Sequence, residues 1–324
     1  MIDPSLGYSL REKMCALPID WRNAYLGFDA RGKPCAWPEE AAELAGVSPL
    51  SRIAELVLEA PLEALRESPS HHASLLSEAR MGEILQVVLE RGEWLLVAGE
   101  DGYVAWLRSW SSRRLRKGER EELLSRRLGL YEPVLGTLEV REGENPALMR
   151  GTPLLRVEDT RFDSASLSVS LVDGTRGSLP LSAVRTQPPT ATVAELVGEA
   201  RRYLGAPYRW GGRSPLGLDC SGYTQLVARS CGFFLPRDAV QQANCGQKVS
   251  LDPAAWEPGD LLFFHDPVDH VAFSAPSGTL LHARGRVRQQ QVSQLPELMG
   301  SIVAVRRLGD ADRLSRESLC AWIG

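Results

Sequence analysis

At Thr186–Thr192 the chain reads TQPPTAT, and its hydrophobic pattern is of one kind before this segment and of another after it. Adjacent prolines cannot donate to a strand ladder, so no sheet is expected to run through this point. Short apolar runs separated by glycine turns lie on one side. On the other, apolar residues at helical spacing come first and strands follow. The segment therefore marks the start of a last domain, in a chain of 324 residues with room for about two or three.

From about residue 50 to 112 the sequence predicts a small β-barrel. GEILQVVLE, EWLLVAGE and GYVAWL are short β-prone runs divided by RG and EDG turns, where Gly92 and Gly102 take positive φ at little cost. A second β-rich stretch, 130–187, holds TLEVRE, TPLLRVE, SLSVSLVDG and TRGSLPL. Between them, Arg113–Gly129 has seven basic and three acidic side chains. Its interspersed glutamates and helical spacing predict a solvated linker helix rather than a nucleic-acid or lipid patch. Residues 1–49 read as an extension that packs on its neighbours, with a short helix around Glu39–Leu44.

Residues 193–310 predict an α+β domain, followed by a tail at 311–324. VAELVGEARRYLG and CSGYTQLVARSCG have helical spacing, RDAVQQANCG is a shorter helix, and LLFF, HVAFSA, TLLHAR, RVRQQQV and SIVAVRR read as strands. This domain carries 12 basic and 11 acidic residues, and the whole chain a net charge of −4. No bulk field selects a nucleic acid or an anionic membrane as partner, and no protein partner is implied. The start MIDPSLGYSLREKMCALPID has no basic segment followed by an apolar one, and no apolar run has membrane-spanning length. A cytoplasmic chain is the expectation.

None of the six cysteines is spaced as CxxC, so neither a zinc site nor a redox pair is predicted. Cys220 stands apart, because LDCSG puts it where a Gly- and Pro-rich loop turns into a helix. Unpaired N–H groups and the positive end of the helix dipole favour a thiolate there and could hold an oxyanion. Three of the five histidines, His265, His270 and His282, fall within 18 residues. The turn Pro276–Ser277–Gly278 joins the strands of His270 and His282 as a hairpin, which brings the two rings side by side. One can serve as base and acid for the thiol while the other fixes its tautomer. His265, in FFHDP, reads as an exposed loop residue.

YRWGG, LDCSGYTQ, LPRDAVQQ, PGDLLFF, DHVAF and LLHARG occur in this order over residues 193–310, which closely resemble the NlpC/P60 peptidases of papain-like fold. The resemblance implies Cys220 as nucleophile, His270 as base, His282 as the group orienting it, and Asp219 and Ser221 as substrate contacts. Two bacterial SH3-like barrels ahead of such a domain resemble the layout of YkfC-type γ-D-glutamyl-L-diamino acid endopeptidases. In that subfamily the first barrel closes over the active site and recognises a free N-terminal L-Ala.

By motif, Glu83 of RMGE and Tyr103 of DGYVAW would contribute to that recognition, and Trp210 would wall the cleft. Arg237 and Asp238 of PRD would shape the side that takes the substrate's N-terminal portion. Ala239 stands where relatives often have Ser, which leaves a backbone role there rather than a side-chain contact; only EDG precedes Tyr103, and this shorter connection implies a more open pocket. The expected substrate is a muropeptide, L-Ala-γ-D-Glu-L-diamino acid, cut after γ-D-Glu with no metal or organic cofactor. The rivals are an exported hydrolase of intact wall, an acyltransferase or amidase using the same residues, and a non-catalytic binding module.

Overall fold

The computed structural model describes residues 24–28, 33–157, 166–187 and 191–314. These form two compact units: the residues up to 79 with 83–116 in one, and 80–82 with those from 117 onward in the other.

In the first unit the expected strands are Ile84–Arg91, Trp94–Ala98 and Val104–Arg108. They pair in succession within a seven-stranded sheet. Only Gly92 and Glu93 separate the paired Arg91 and Trp94. So tight a hairpin needs positive φ, and Gly92 supplies +60°. Both faces of these strands are covered. Leu56, Val87, Val97 and Leu107 fill one side, and Leu89, Trp94, Leu96 and Trp106 the other. Double burial explains the unbroken apolar runs. Tyr25, Trp37 and Leu50 of the N-terminal extension pack on the second face, with Tyr25 edge-on to Trp106 at 6.3 Å. The extension's helix is Glu39–Ala45, preceded by the strand pair Tyr25–Phe28 and Pro34–Trp37.

The segment Arg113–Gly129, expected as one helix, is helical only over Glu119–Ser125. Ser112–Arg114 extends the first sheet by pairing with Ala54–Leu58, where Arg113 and Arg114 meet Glu59 and Glu90. Gly118, at φ +82°, ends this extended stretch and opens the helix. Cross-strand ion pairs thus use charges that composition assigned to a solvated helix.

In the second unit, Arg127–Tyr131 belongs to a five-stranded sheet with Pro153–Leu155, Ser166–Ser170, Arg176–Pro180 and Val184–Arg185. This module is tied to the following domain by buried charge. Arg150 donates to both carboxylate oxygens of Glu199, at 2.6 and 3.0 Å, and pairs with Glu132 at 2.8 Å. Arg185 donates to the Ser230 carbonyl at 3.0 Å.

The last domain has helices first and sheet after, as its pattern predicts. Helices α1 (Glu195–Arg201), α2 (Cys220–Ser230) and α3 (Ala239–Gln242) precede an antiparallel sheet. Its strands are β1 (Gln247–Val249), β2 (Leu261–Phe264), β3 (His270–Ala275), β4 (Thr279–Arg284), β5 (Arg286–Gln291) and β6 (Ile302–Arg307). They lie in the order β1-β6-β2-β3-β4-β5. Tyr223 and Val227 of α2 bury against Val271 and Phe273 of β3 and Leu281 of β4, with Tyr223 edge-on to Phe273 at 6.0 Å. The start of α2 is thereby held at the start of β3.

Candidate active site

Asp219 is the residue just before α2, and its carboxylate is used several times over. One oxygen accepts the Gly222 N–H at 2.7 Å and so caps the helix. The other accepts the Gly211 N–H at 2.9 Å, which draws in the YRWGG loop. Arg237 donates to both, at 3.0 and 2.7 Å, and to the Ser221 hydroxyl at 2.9 Å. Arg237 is 1% exposed and Asp219 6%. The glycine of LDCSG follows from crowding: a Cβ at 222 would lie 2.2 Å from the Gly212 carbonyl oxygen. Asp219, Ser221 and Arg237, expected against the substrate, form an internal brace of the loop that leads into Cys220.

Cys220 opens α2, where its own N–H has no intrahelical acceptor. Its sulfhydryl donates to the Asp269 carbonyl at 3.7 Å, and its sulfur accepts the Val271 N–H. These groups flank His270. The ring of His270 lies against Phe264, 5.8 Å between centroids, and its Nε2 is 3.0 Å from Nδ1 of His282. The register pairs Phe273 with Leu281, which makes the two histidines diagonal neighbours on adjacent strands. His282, wholly buried, has its Nε2 3.0 Å from Oε1 of Gln290 on β5.

A side-chain amide oxygen only accepts, and this sets the proton order along the row. His282 donates from Nε2 to Gln290, so its Nδ1 accepts from Nε2 of His270. Nδ1 of His270 is then left as the basic nitrogen. Gln290 went unnoticed in the sequence because it sits inside the polar run RQQQV; only its register two residues beyond the partner of His282 marks it out.

Burial acts against charge on both Cys220 and His270. Burial, with the Asp219 carboxylate second, pushes the Cys220 thiol up to about 12. Desolvation therefore works against the stabilisation that the helix terminus offers a thiolate. Burial, then the neighbouring His282 and Arg284, pull His270 down to about 3. His282 is also lowered, by burial first. Burial and then Cys220 raise Tyr208 of YRWGG to about 12, which identifies a phenol beside the thiol that the sequence reading passed over.

A histidine of depressed pKa stays unprotonated, and able to act as base, well below the usual 6.5. We expect kcat/KM to hold between pH 6.5 and 5 and to fall only in more acid solution. A midpoint near 6.5 would contradict the buried imidazole.

The remaining expected site residues divide by unit. Trp210 is 67% exposed on its loop, and Asp238 is half-buried at the start of α3, where its N–H donates to Gln241 at 3.2 Å. His265 is exposed, as expected, with Nδ1 2.5 Å from Asp269. Glu83 and Tyr103 belong to the first unit. Tyr103 is 6% exposed within that unit's core, and Glu83 is half-buried with its carbonyl accepting the Leu58 N–H. Among the described residues, no helix is long and apolar enough to cross a membrane.

Residues 205–302 match the NlpC/P60 family, and residues 65–111 match the bacterial dipeptidyl-peptidase Sh3 domain. A gamma-D-glutamyl-L-lysine dipeptidyl-peptidase of Bacillus subtilis (strain 168) is 27% identical over 248 residues, which are 71% of this chain and 80% of that protein. Dipeptidyl-peptidase 6 of Lysinibacillus sphaericus is 27% identical over 72% of this chain and 89% of its own length. In fold, the chain is similar to the crystal structure of an NlpC/P60 family protein from Bacillus cereus ATCC 10987. The TM-score is 0.69, at 22% identity, over 78% of this chain and 99% of that one. With Cys220, His270 and His282 gathered at the start of a helix and its packed strands, the chain carries an NlpC/P60 cysteine peptidase domain together with a bacterial dipeptidyl-peptidase SH3 domain.

Proposed function

We propose that this hydrolase cleaves the γ-D-Glu–L-diamino acid bond of muropeptides that have a free N-terminal L-Ala. The observation that carries this reading is the row Gln290–His282–His270, on a strand whose backbone on either side of His270 meets the Cys220 thiol at a helix N-terminus. The similarity to dipeptidyl-peptidases over most of their length supports the substrate. Nδ1 of His270 takes the thiol proton as the Cys220 sulfur attacks the γ-carbonyl. The oxyanion lies toward the Cys220 N–H. The C–N bond then breaks as His270 returns the proton to the leaving α-amine. Water, losing a proton to His270, attacks the thioester and frees the dipeptide and the thiol.

In this reading Glu83 and Tyr103 meet the substrate's ammonium and methyl groups, and Trp210, Asp238 and the 219–221–237 brace border its path. The domain boundaries at 50–112, 130–187 and 193–310 go with it, the middle one as a second SH3-like barrel. So does a cytoplasmic role in recycling, because a free L-Ala amine exists only on fragments already cut from the glycan.

Mass spectrometry of two substrates tests this. One is L-Ala-γ-D-Glu-meso-diaminopimelate; the other has its amine capped by N-acetylmuramate. Release of L-Ala-D-Glu from the free peptide alone is expected. Equal cleavage of both would overturn the amine requirement and favour a wall hydrolase; cleavage of neither would favour acyl transfer on another substrate.

A further inference from the structure

The geometry points to a reader of the leaving group's side chain. Arg284 and Glu297 bind the amino-acid zwitterion at the far end of meso-diaminopimelate, so that this substrate is preferred over the lysine peptide. The inference rests on the peptidase reading above and deepens it.

A cavity of about 380 Å³ opens beside His270, lined also by Tyr208, Asp269, Arg284 and Glu297, and not by Cys220. The base that protonates the leaving amine faces that amine, so a cavity on the side of His270 belongs to the diamino acid. Arg284 ends β4 and pairs across Gly285 with Arg286, and Arg288 follows opposite His282. None of these three arginines makes an ion pair with another described residue, and the buried Nε of Arg288 has no hydrogen-bond partner. Arg237 and Arg307 of the same domain are matched, the first with Asp219 and the second with Asp260 and Glu257. Within the cavity Asp269 is engaged by His265, which leaves Glu297, likewise without an ion pair among the described residues, as the open carboxylate.

An unmatched cation and an unmatched anion in one cavity suit a ligand bearing both charges. Lysine ends in an ammonium alone, which leaves the Arg284 guanidinium without a counter-charge. The far centre of meso-diaminopimelate carries a carboxylate for Arg284 and an ammonium for Glu297. Charge-assisted bonds of this kind are worth about a 10- to 100-fold difference.

The test compares kcat/KM for L-Ala-γ-D-Glu peptides ending in meso-diaminopimelate, in L-lysine, and in diaminopimelate amidated at its D-centre carboxyl. The wild-type protein is expected to favour the first over both others by about 10- to 100-fold, chiefly through KM. Arg284→Gln, a change at an exposed residue, is expected to bring the ratios within about threefold. Equal wild-type rates on the diaminopimelate and lysine peptides would overturn the inference. So would an Arg284→Gln variant that slows all three alike, since the guanidinium would then hold the common α-carboxylate. Failure to cleave any of the three would instead bring down the peptidase reading itself.

Discussion

Replacing Cys220 by alanine is expected to lower kcat by about 10⁴-fold or more, with the fold retained. Loss of a covalent nucleophile removes the whole acyl-enzyme route, and such losses reach about 10⁶ where a base and a nucleophile act as a unit. The thiol contributes little else. It is 7% exposed, its hydrogen bond to the Asp269 carbonyl is a long one of 3.7 Å, and the helix cap is made by Asp219. An alanine methyl fits the space without stranding a strong donor. His270→Ala should therefore cost about as much, and the double variant little more than either, because each removal already disables the other's role. Steady-state turnover of the free muropeptide, with thermal unfolding as the control on folding, measures this. Turnover within tenfold of wild type in Cys220→Ala would put the nucleophile elsewhere.

That Cys220 and the two histidines could be read from the sequence as lying at a helix start and on paired strands reflects what local sequence encodes well. LDCSG marks a loop-to-helix junction by its own composition, and a three-residue turn makes HVAFSA and TLLHAR neighbours. The strands of the first module were legible for the same reason, since glycine turns and β-prone runs are local signals. What the sequence hid was non-local. Arg237 reads like any surface arginine in PRD, yet it is 1% exposed because its carboxylate partner lies 18 residues upstream. The Arg150–Glu199 pair spans 49 residues and two modules. In 113–129, charges that suggested a solvated helix serve partly as cross-strand partners of Glu59 and Glu90. The upward pull of burial on the Cys220 thiol was hidden for a related reason. The helix terminus is visible in the sequence, but the depth at which folding buries it is not.

The second large effect concerns the brace, and it separates the substrate role expected of Arg237 from the bracing contacts its guanidinium makes. Arg237→Met should destabilise the catalytic domain by about 3–5 kcal/mol, because it leaves the buried Asp219 carboxylate without its counter-charge. Asp219→Asn in the same chain should restore part of that loss. The amide still offers an oxygen to the Gly222 N–H, and no unpaired charge is then buried. The urea midpoint of the domain reports this order, with the double variant lying between wild type and Arg237→Met. Activity should follow a different order. Both variants loosen the geometry that sets Cys220 against the backbone flanking His270, so kcat should fall in each, whether or not stability has been recovered. If Arg237 served the substrate alone, its loss would raise KM while leaving the urea midpoint in place. The two measurements together therefore distinguish a guanidinium that holds the nucleophile loop from one that holds the ligand, and the 2.7 Å contact to a buried carboxylate argues for the first.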